Sequence, residues 1–276
     1  MFATAAASNP APDAAQDPAL APHDPEASCD RLAGSWHIWQ LRRGHRFSAD
    51  DMLTAWLAAD VAPDALDLLD LGAGIGSVGL MTLWRMGAAA RLTMVEAQDV
   101  SHALARRTVA TNGLEDRVTL RLGDLRDPDS VPEAGRFDLV TGSPPYIPLG
   151  KGVVSPVPQR AACRMELRGS IVDYARTAAR AMRPDGWFVA CFASVDPRGD
   201  EAFAAAGLHL HVRQEVVFRA GQAPMITLFA GRHVAGPLDR RAPLLIRDAA
   251  GQWTDEYLSV RERMGTVVTR PSGGAS

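Results

Sequence analysis

The sequence predicts an α/β fold built on a seven-stranded, mostly parallel sheet with one antiparallel strand. Three observations carry this. Short apolar runs alternate with amphipathic helical stretches from about residue 50 to residue 206, the order that produces parallel strands joined by crossover helices. The first strand runs into a glycine-rich turn, Asp70-Leu71-Gly72-Ala73-Gly74-Ile75-Gly76, before a helix begins. Two long strand-like stretches then close the pattern with no helix between them, so one of them must run against the others.

Taken in order, residues 50–60 form a helix with Ser48 or Asp50 as its cap. Residues 65–71 are the first strand, 77–86 a helix, 91–96 a strand and 100–112 a helix. Strands follow at 118–122 and 137–141, separated by a short loop or helix. A Pro- and Gly-rich loop runs through Pro158, then a helix at 170–182, a strand at 187–192 and a helix at 201–206. The hairpin occupies 210–218 and 225–231.

Residues 1–30 are rich in Ala, Pro and Asp, show no hydrophobic period and are expected to be a disordered tail. They lack the basic start and apolar centre of a secretory signal. The folded domain is expected over residues 31–265, with residues 266–276 as a second loose tail.

Composition narrows the classes. At 276 residues and 47% hydrophobic, the chain can bury a full core. The three cysteines, Cys29, Cys163 and Cys191, are scattered, which fits neither a disulfide framework nor a zinc site and suits a reducing cytoplasm. No apolar run is long enough for a membrane helix. The net charge is -3, with five acids and no Lys or Arg in residues 1–30, so the remainder is slightly basic. That balance is compatible with nucleic acid without demanding it. No oligomeric state is legible.

The glycine turn lets the chain reverse sharply and lets a ligand approach the backbone. Glu96 ends the second strand, where an acid can accept both hydroxyls of a ribose. Asp124 follows the third strand in Leu-Gly-Asp-Leu, placed to accept from an adenine amino group. Gly74-Ile-Gly-Ser-Val-Gly79 also fits a dinucleotide site. Asp70 before the turn and Asp124 after the third strand favour S-adenosylmethionine instead, in a Rossmann-like sheet. The candidate cofactor contacts are Asp50, Asp70, Gly72, Ala73, Gly74, Gly76, Glu96, Ala97, Asp124, Leu125 and Ser143.

The fourth strand ends in Ser143-Pro144-Pro145-Tyr146. At the carboxyl end of a parallel strand this segment faces the ligand crevice. The prolines stiffen it, the Ser143 hydroxyl and Pro144 carbonyl can accept from an amino group, and Tyr146 offers a face for a planar base. Ser143, Pro144 and Tyr146 are therefore the candidate catalytic residues. Hydrogen bonds from the amine to the two acceptors favour pyramidalisation and free its lone pair for attack on a methyl group.

The ordered series Asp-Leu-Gly-x-Gly-x-Gly, Glu96, Asp124 and Ser-Pro-Pro-Tyr resembles the class I methyltransferases that act on amino groups: adenine N6, cytosine N4 or glutamine N5. Over residues 36–260 it is most similar to the bacterial family that methylates adenine N6 in valine tRNA. His45-Arg-Phe-Ser-Ala-Asp50, the Pro156…Arg164-Met-Glu166 segment and the Pro224-containing hairpin carry that closer likeness. The resemblance implies a tRNA substrate, no metal, and a place for Asp50 at the methionine end of the cofactor pocket. It departs from the family at Ser143, where relatives usually have Asn. Ser-Pro-Pro-Tyr-Ile-Pro also resembles the glutamine N5-methyltransferases of release factors, which carry a helical domain before the catalytic one; here an Ala/Pro-rich tail precedes it. A small-molecule methyltransferase is a third reading, and a non-catalytic cofactor-binding module that lost activity with the asparagine is a fourth, from a different class.

Among the remaining residues, Arg42, Arg43, His45 and Arg46, and Lys151, Arg160, Arg164 and Arg168 flanking the acceptor motif, are candidates to track phosphates or to form a solvated face. His209 and His211 alternate on a strand without a third ligand and read as a solvent-facing pair. Trp36, Trp39 and Trp56 are expected to pack the N-terminal segment on the core.

Overall fold

The structure, a computed structural model, describes residues 26–148, 150, 155 and 157–266. The chain opens with the antiparallel hairpin β1 (Ala27–Ala33) and β2 (Trp36–Leu41). It continues through α1 (Ala49–Val61), β3 (Asp67–Leu71), α2 (Ser77–Arg85), β4 (Arg91–Glu96), α3 (Asp99–Thr111), β5 (Val118–Leu122) and β6 (Phe137–Gly142). After α4 (Pro158–Arg164) and α5 (Ile171–Ala181) come β7 (Met182–Ala193), α6 (Arg198–Ala205), β8 (His209–Val217), β9 (Ile226–Arg232), β10 (Asp239–Leu245) and α7 (Asp255–Arg263).

The seven expected strands lie in one sheet in the order β8-β9-β7-β6-β3-β4-β5. Only β9 among them runs antiparallel to its neighbours. From β3 the chain steps outward to β4 and β5, then returns to place β6 on the other side of β3. The carboxyl ends of β3 and β6 are therefore adjacent while their connections leave in opposite directions, and a crevice opens there. Apolar side chains cover both faces of the sheet. On one face Phe203 stacks between Phe188 and Phe229, with ring centroids 5.1 and 5.8 Å away.

Two expectations are corrected. The sheet has an eighth strand, β10, which pairs parallel to β8 at the edge. Its sequence, Asp-Arg-Arg-Ala-Pro-Leu-Leu, carries three charges and a proline and reads as loop; an edge position tolerates Pro243, and the register shifts between Arg241 and Leu244. At the other end, the boundary placed at residue 30 falls inside β1. Asp30 accepts from Ser28, Gln40 and Arg46, and Ala27 and Leu32 are buried. Gly34-Ser35 between apolar residues is a two-residue hairpin turn, a signal outweighed by the Pro-rich stretch before it.

The hairpin docks on α3. The Trp39 backbone N–H donates to Thr108 Oγ1 (2.9 Å) and its indole to Thr111 Oγ1 (2.8 Å), while the Arg107 guanidinium sits 3.2 Å from its ring centroid. Trp56, buried in α1, has Arg263 of α7 over its ring at 5.3 Å. Ser48 caps α1, donating its backbone N–H to Asp51 Oδ2 at 3.1 Å. α4 and α7 form where no helix was expected. Among the described residues no helix is long and apolar enough to cross a membrane, and no three His, Cys, Asp or Glu side chains gather as metal ligands. His209 is exposed, and His211 bonds to the Val234 carbonyl at 2.8 Å.

Starting the chain at Glu26 is expected to leave its melting temperature unchanged, because the preceding residues show no apolar period. Starting it at Arg31 removes half of β1 and the partner of Arg46. It should lower the melting temperature by about 2–4 °C for each kcal/mol lost. Differential scanning fluorimetry of both truncations checks this, and equal values would show that β1 contributes no stability.

Candidate active site

The carboxyl ends of β3, β4 and β6, with the start of α1 and the α4 segment, enclose a cavity of about 590 Å³. That volume lies within the range of cofactor and drug-sized pockets. Its floor is the glycine turn. Gly72 and Gly74 both adopt positive φ, +58° and +57°. At Gly72 a Cβ would fall 1.9 Å from the Tyr174 hydroxyl, so this residue must be glycine. At Gly74 no atom comes within 4 Å of where a Cβ would stand, so this backbone is open to a ligand.

Asp70 lies beneath the turn, 1% exposed. Its Oδ2 accepts the Gly79 N–H of α2 at 2.9 Å and its Oδ1 accepts Thr141 Oγ1 of β6 at 2.7 Å. Both carboxylate oxygens are thus committed to the scaffold, and burial pushes its pKa up to about 7. Gly76 caps α2 and does not line the cavity. Glu96 is buried at the end of β4. It accepts the Gly74 N–H through Oε2 and the Gln98 N–H through Oε1, both at 2.7 Å, and burial raises its pKa. Ala97, beside it, gives its carbonyl to the Arg168 guanidinium.

Asp124 is placed differently from the expectation. Its carboxylate is held by Arg126 at 2.9 and 2.6 Å, which lowers its pKa, and it does not line the cavity. Its neighbours Gly123 and Leu125 do.

Ser143, Pro144, Pro145 and Tyr146 form another wall of the cavity. Ser143 Oγ lies 3.5 Å from Cys191 Sγ, a weak partner that leaves its lone pairs open to a stronger donor. The Tyr146 hydroxyl donates to Asp50 Oδ2 (3.2 Å), lies 3.1 Å from Cys191 Sγ, and its ring meets Phe192 edge-on at 5.6 Å. Burial drives the Tyr146 pKa well above its usual value, so this hydroxyl keeps its proton. Asp51, next to Asp50, is buried; desolvation first and the Asp50 charge second raise its pKa to about 8.

The cavity is therefore acidic inside, with Asp50, Asp51, Asp70 and Glu96, and basic at its rim. Arg42, Arg43 and Arg46 stand on the β2–α1 loop, Arg160 and Arg164 on α4, and Arg168 after it, all exposed. Gln159 joins the two arms: its Oε1 accepts the His45 N–H at 2.7 Å and its Nε2 reaches Ser101 Oγ at 3.3 Å. Lys151 and Pro156 lie outside the described residues. Sequence reasoning missed Tyr174, Asp51, Gln159 and Cys191. Tyr174 and Cys191 sit in apolar helix and strand runs and read as core, and nothing in the sequence singles out Gln159.

Comparison with known proteins identifies relatives of the chain. The family described as Methyltransferase small domain matches residues 47–171. A tRNA1(Val) (adenine(37)-N6)-methyltransferase of Phocaeicola vulgatus is 31% identical over 183 residues, 65% of this chain and 73% of the relative. One from Pasteurella multocida is 26% identical over 228 residues, 82% of this chain and 92% of the relative. A crystal structure described as a predicted O-methyltransferase from Agrobacterium tumefaciens aligns with a TM-score of 0.60 at 21% identity. It covers 79% of this chain and 98% of its own. That likeness concerns the fold.

Asp70 gives a pH signature. Folded, it holds its proton to about pH 7, whereas its reference value is 3.8. Between those values the folded state binds more protons, so Asp70's contribution is complete below the lower value and is lost as pH rises through the upper one. Asp70→Asn should accordingly show a shallower fall in stability than the unchanged protein between about pH 5 and 8. Urea unfolding across that range measures it, and parallel curves would mean that Asp70 holds no excess proton.

Proposed function

Since the chain belongs to the tRNA1(Val) (adenine(37)-N6)-methyltransferase family, and is on that ground an S-adenosylmethionine-dependent methyltransferase, we propose that its acceptor is adenine N6 in a cytoplasmic tRNA. The observation that carries the reading is the union in one cavity of an open glycine turn, an acidic floor and the Ser143–Tyr146 segment. The folded unit that does this work begins at β1 and ends near Thr266.

The cavity fits the cofactor. A ligand can lie on the Gly72–Gly74 backbone, where the space beside Gly74 is open, and Glu96 keeps lone pairs for ribose hydroxyls beyond the two it gives to backbone N–H groups. Ala97 and Leu125 flank the adenine end, and Asp50 the methionine end. Asp70 and Gly76 serve by shaping the turn. Asp124, tied to Arg126, would have to exchange that partner to accept from adenine. When bound, S-adenosylmethionine supplies an electrophilic methyl group on a sulfonium.

The chain's own residues prepare the amine. The adenine amino group is a weak nucleophile because its lone pair is delocalised into the ring. The Ser143 hydroxyl and Pro144 carbonyl accept hydrogen bonds from its two N–H groups and draw the nitrogen toward a tetrahedral shape, which localises the pair. Tyr146, fixed through Asp50 and Phe192, presents a face to the base. Positioning supplies much of the acceleration, and the proton leaves after attack. The exposed arginines at the rim suit phosphates on either side of a base turned into the cavity.

Glu96→Ala should weaken S-adenosylmethionine binding by about 1–3 kcal/mol, as for a missing partner of buried polar groups. Titration calorimetry measures it, and unchanged affinity would remove Glu96 from the site.

The acceptor assignment is tested by labelled-methyl transfer to total RNA and to cell protein, followed by nucleoside mass spectrometry. N6-methyladenosine in tRNA is expected; label confined to protein would replace the RNA acceptor with glutamine. In single-turnover assays Tyr146→Ala should lose stacking worth about 1–3 kcal/mol and most of its rate. Tyr146→Phe should keep the stacking. Ser143→Ala should lower turnover more than RNA affinity, because its bond tightens as nitrogen pyramidalises, and Ser143→Asn should restore it. Near-normal rates in both alanine variants would make this segment a structural turn.

A further inference from the structure

Building on the RNA acceptor just proposed, we propose that Arg219, Arg247 and Arg261, gathered around Trp253, form a second RNA-backbone site beside the mouth of the cavity. They hold phosphates flanking the target base.

The three guanidinium groups come from three separate segments. Arg219 follows β8, Arg247 follows β10, and Arg261 lies in the last turn of α7. Backbone and side-chain bonds bring them together. The Ala220 N–H donates to the Arg247 carbonyl at 2.9 Å, and Arg247 Nη1 donates to the Gly251 carbonyl at 2.8 Å. The Arg219 guanidinium packs on Gly251, where a Cβ would stand 2.6 Å from its Nη2. Arg247 and Arg261 both lie on Trp253, with Cζ atoms 5.4 and 3.9 Å from its ring centroid. Burial and the charge of Arg247 both loosen the proton of Arg261, although Tyr257 works the other way.

Gathering like charges is unfavourable unless counter-charge accompanies them. Elsewhere the chain supplies it. Arg198 is paired with Glu166 and Asp196, Arg213 with Asp200 and Glu215, and Arg241 with Asp60 and Asp239. Among the described residues neither Arg219 nor Arg247 has an ion pair. The acid in their own turn, Asp248, accepts the Gln252 N–H instead. A polyanion is the ligand that such a group fits: guanidinium forks match phosphate oxygens, and the indole between them can also stack a base.

Position selects RNA attached to the target base. Phe218, adjoining Arg219, and Met225, across the β8–β9 turn, line the reaction cavity. Tyr257, whose ring meets Trp253 edge-on at 6.1 Å, shares a smaller hollow with Ser48 at the start of α1, two residues from Asp50. All these elements except α1 lie beyond residue 171, outside the matched methyltransferase domain.

The test uses the full chain carrying Arg219→Gln together with Arg247→Gln, neither of which lines the cavity. Binding to a fluorescent RNA hairpin with an adenine in its loop is followed by anisotropy at several salt concentrations. Affinity should fall by about tenfold or more, and the slope of log affinity against log salt should shrink by about 0.7–0.9 for each phosphate no longer neutralised. KM for tRNA should rise while kcat at saturating tRNA and S-adenosylmethionine affinity stay unchanged. The pair Arg219→Lys and Arg247→Lys should recover most of the salt slope. Wild-type RNA affinity and slope in the glutamine variant, with methyl transfer to RNA intact, overturn this site and leave the adenine acceptor standing. An unchanged protein that binds RNA without methylating it overturns the acceptor alone, and one that binds no RNA overturns both.

Discussion

The geometry of the site hangs on one buried carboxylate. Asp70 ties three elements to a single point: its own strand β3, the helix α2 through the Gly79 N–H, and β6 through Thr141. A Cβ on Gly79 would come within 2.9 Å of Asp70, so glycine there is the condition for the bond. The glycine turn spans β3 and α2, and its shape is set by how close those ends are held. The Ser143 segment begins two residues after Thr141, so the same carboxylate sets the distance between cofactor turn and acceptor wall. Burying the group is costly, and its pKa near 7 shows that the cost is not fully offset by its partners. An apolar residue here, even one that stabilised the scaffold, would lose the coupling between the two walls.

Charge is layered around that point. Inside lie four acids, three of which (Asp51, Asp70 and Glu96) are held toward their neutral forms by burial; outside lie arginines in water. A sulfonium with an ammonium on its tail is a cation and suits the inner layer, whereas a polynucleotide is an anion and suits the rim. The arrangement separates the two ligands along one axis: the rim offers a phosphate chain its counter-charge, and the floor, whose buried carboxyls lean toward their neutral forms, offers none. Opposite charges a few ångströms apart in a partly dry cleft interact far more strongly than in water, so this layering orients substrates as well as attracting them.

The parts legible in the sequence are those with short-range grammar. Strands and helices from β3 to β9, α4 excepted, follow apolar periods, and the positions of Glu96 and Ser143–Tyr146 follow from strand ends. What was not legible depends on who meets whom. Asp70 is legible as a site residue from its place before a glycine turn, but its commitment to Gly79 and Thr141, which spans 9 and 71 residues, is not. Asp124 read as an adenine partner because nothing in Leu-Gly-Asp-Leu-Arg reveals that Arg126 curls back on it. β10 hid behind its charges, since an edge strand buries too little to impose a pattern on its sequence, and β1 behind the Pro-rich residues before it.

The two ends of the chain that escaped sequence reading share a place in the molecule. Gly34 of the β1–β2 turn donates its N–H to the Gly265 carbonyl at 2.8 Å, and both glycines pack against the indole of Trp84 in α2. The N-terminal hairpin and the C-terminal helix thus close on the same side of the matched catalytic domain. Each then reaches toward the cavity rim, the hairpin through Arg42–Arg46 and the C-terminal elements through Phe218 and α7. A core of this fold needs only the turn, the acid and the acceptor segment to move a methyl group. Among the described residues both end pieces line the cavity through side chains other than the glycine turn, Glu96 and the acceptor segment, so their place is at the entrance a substrate crosses.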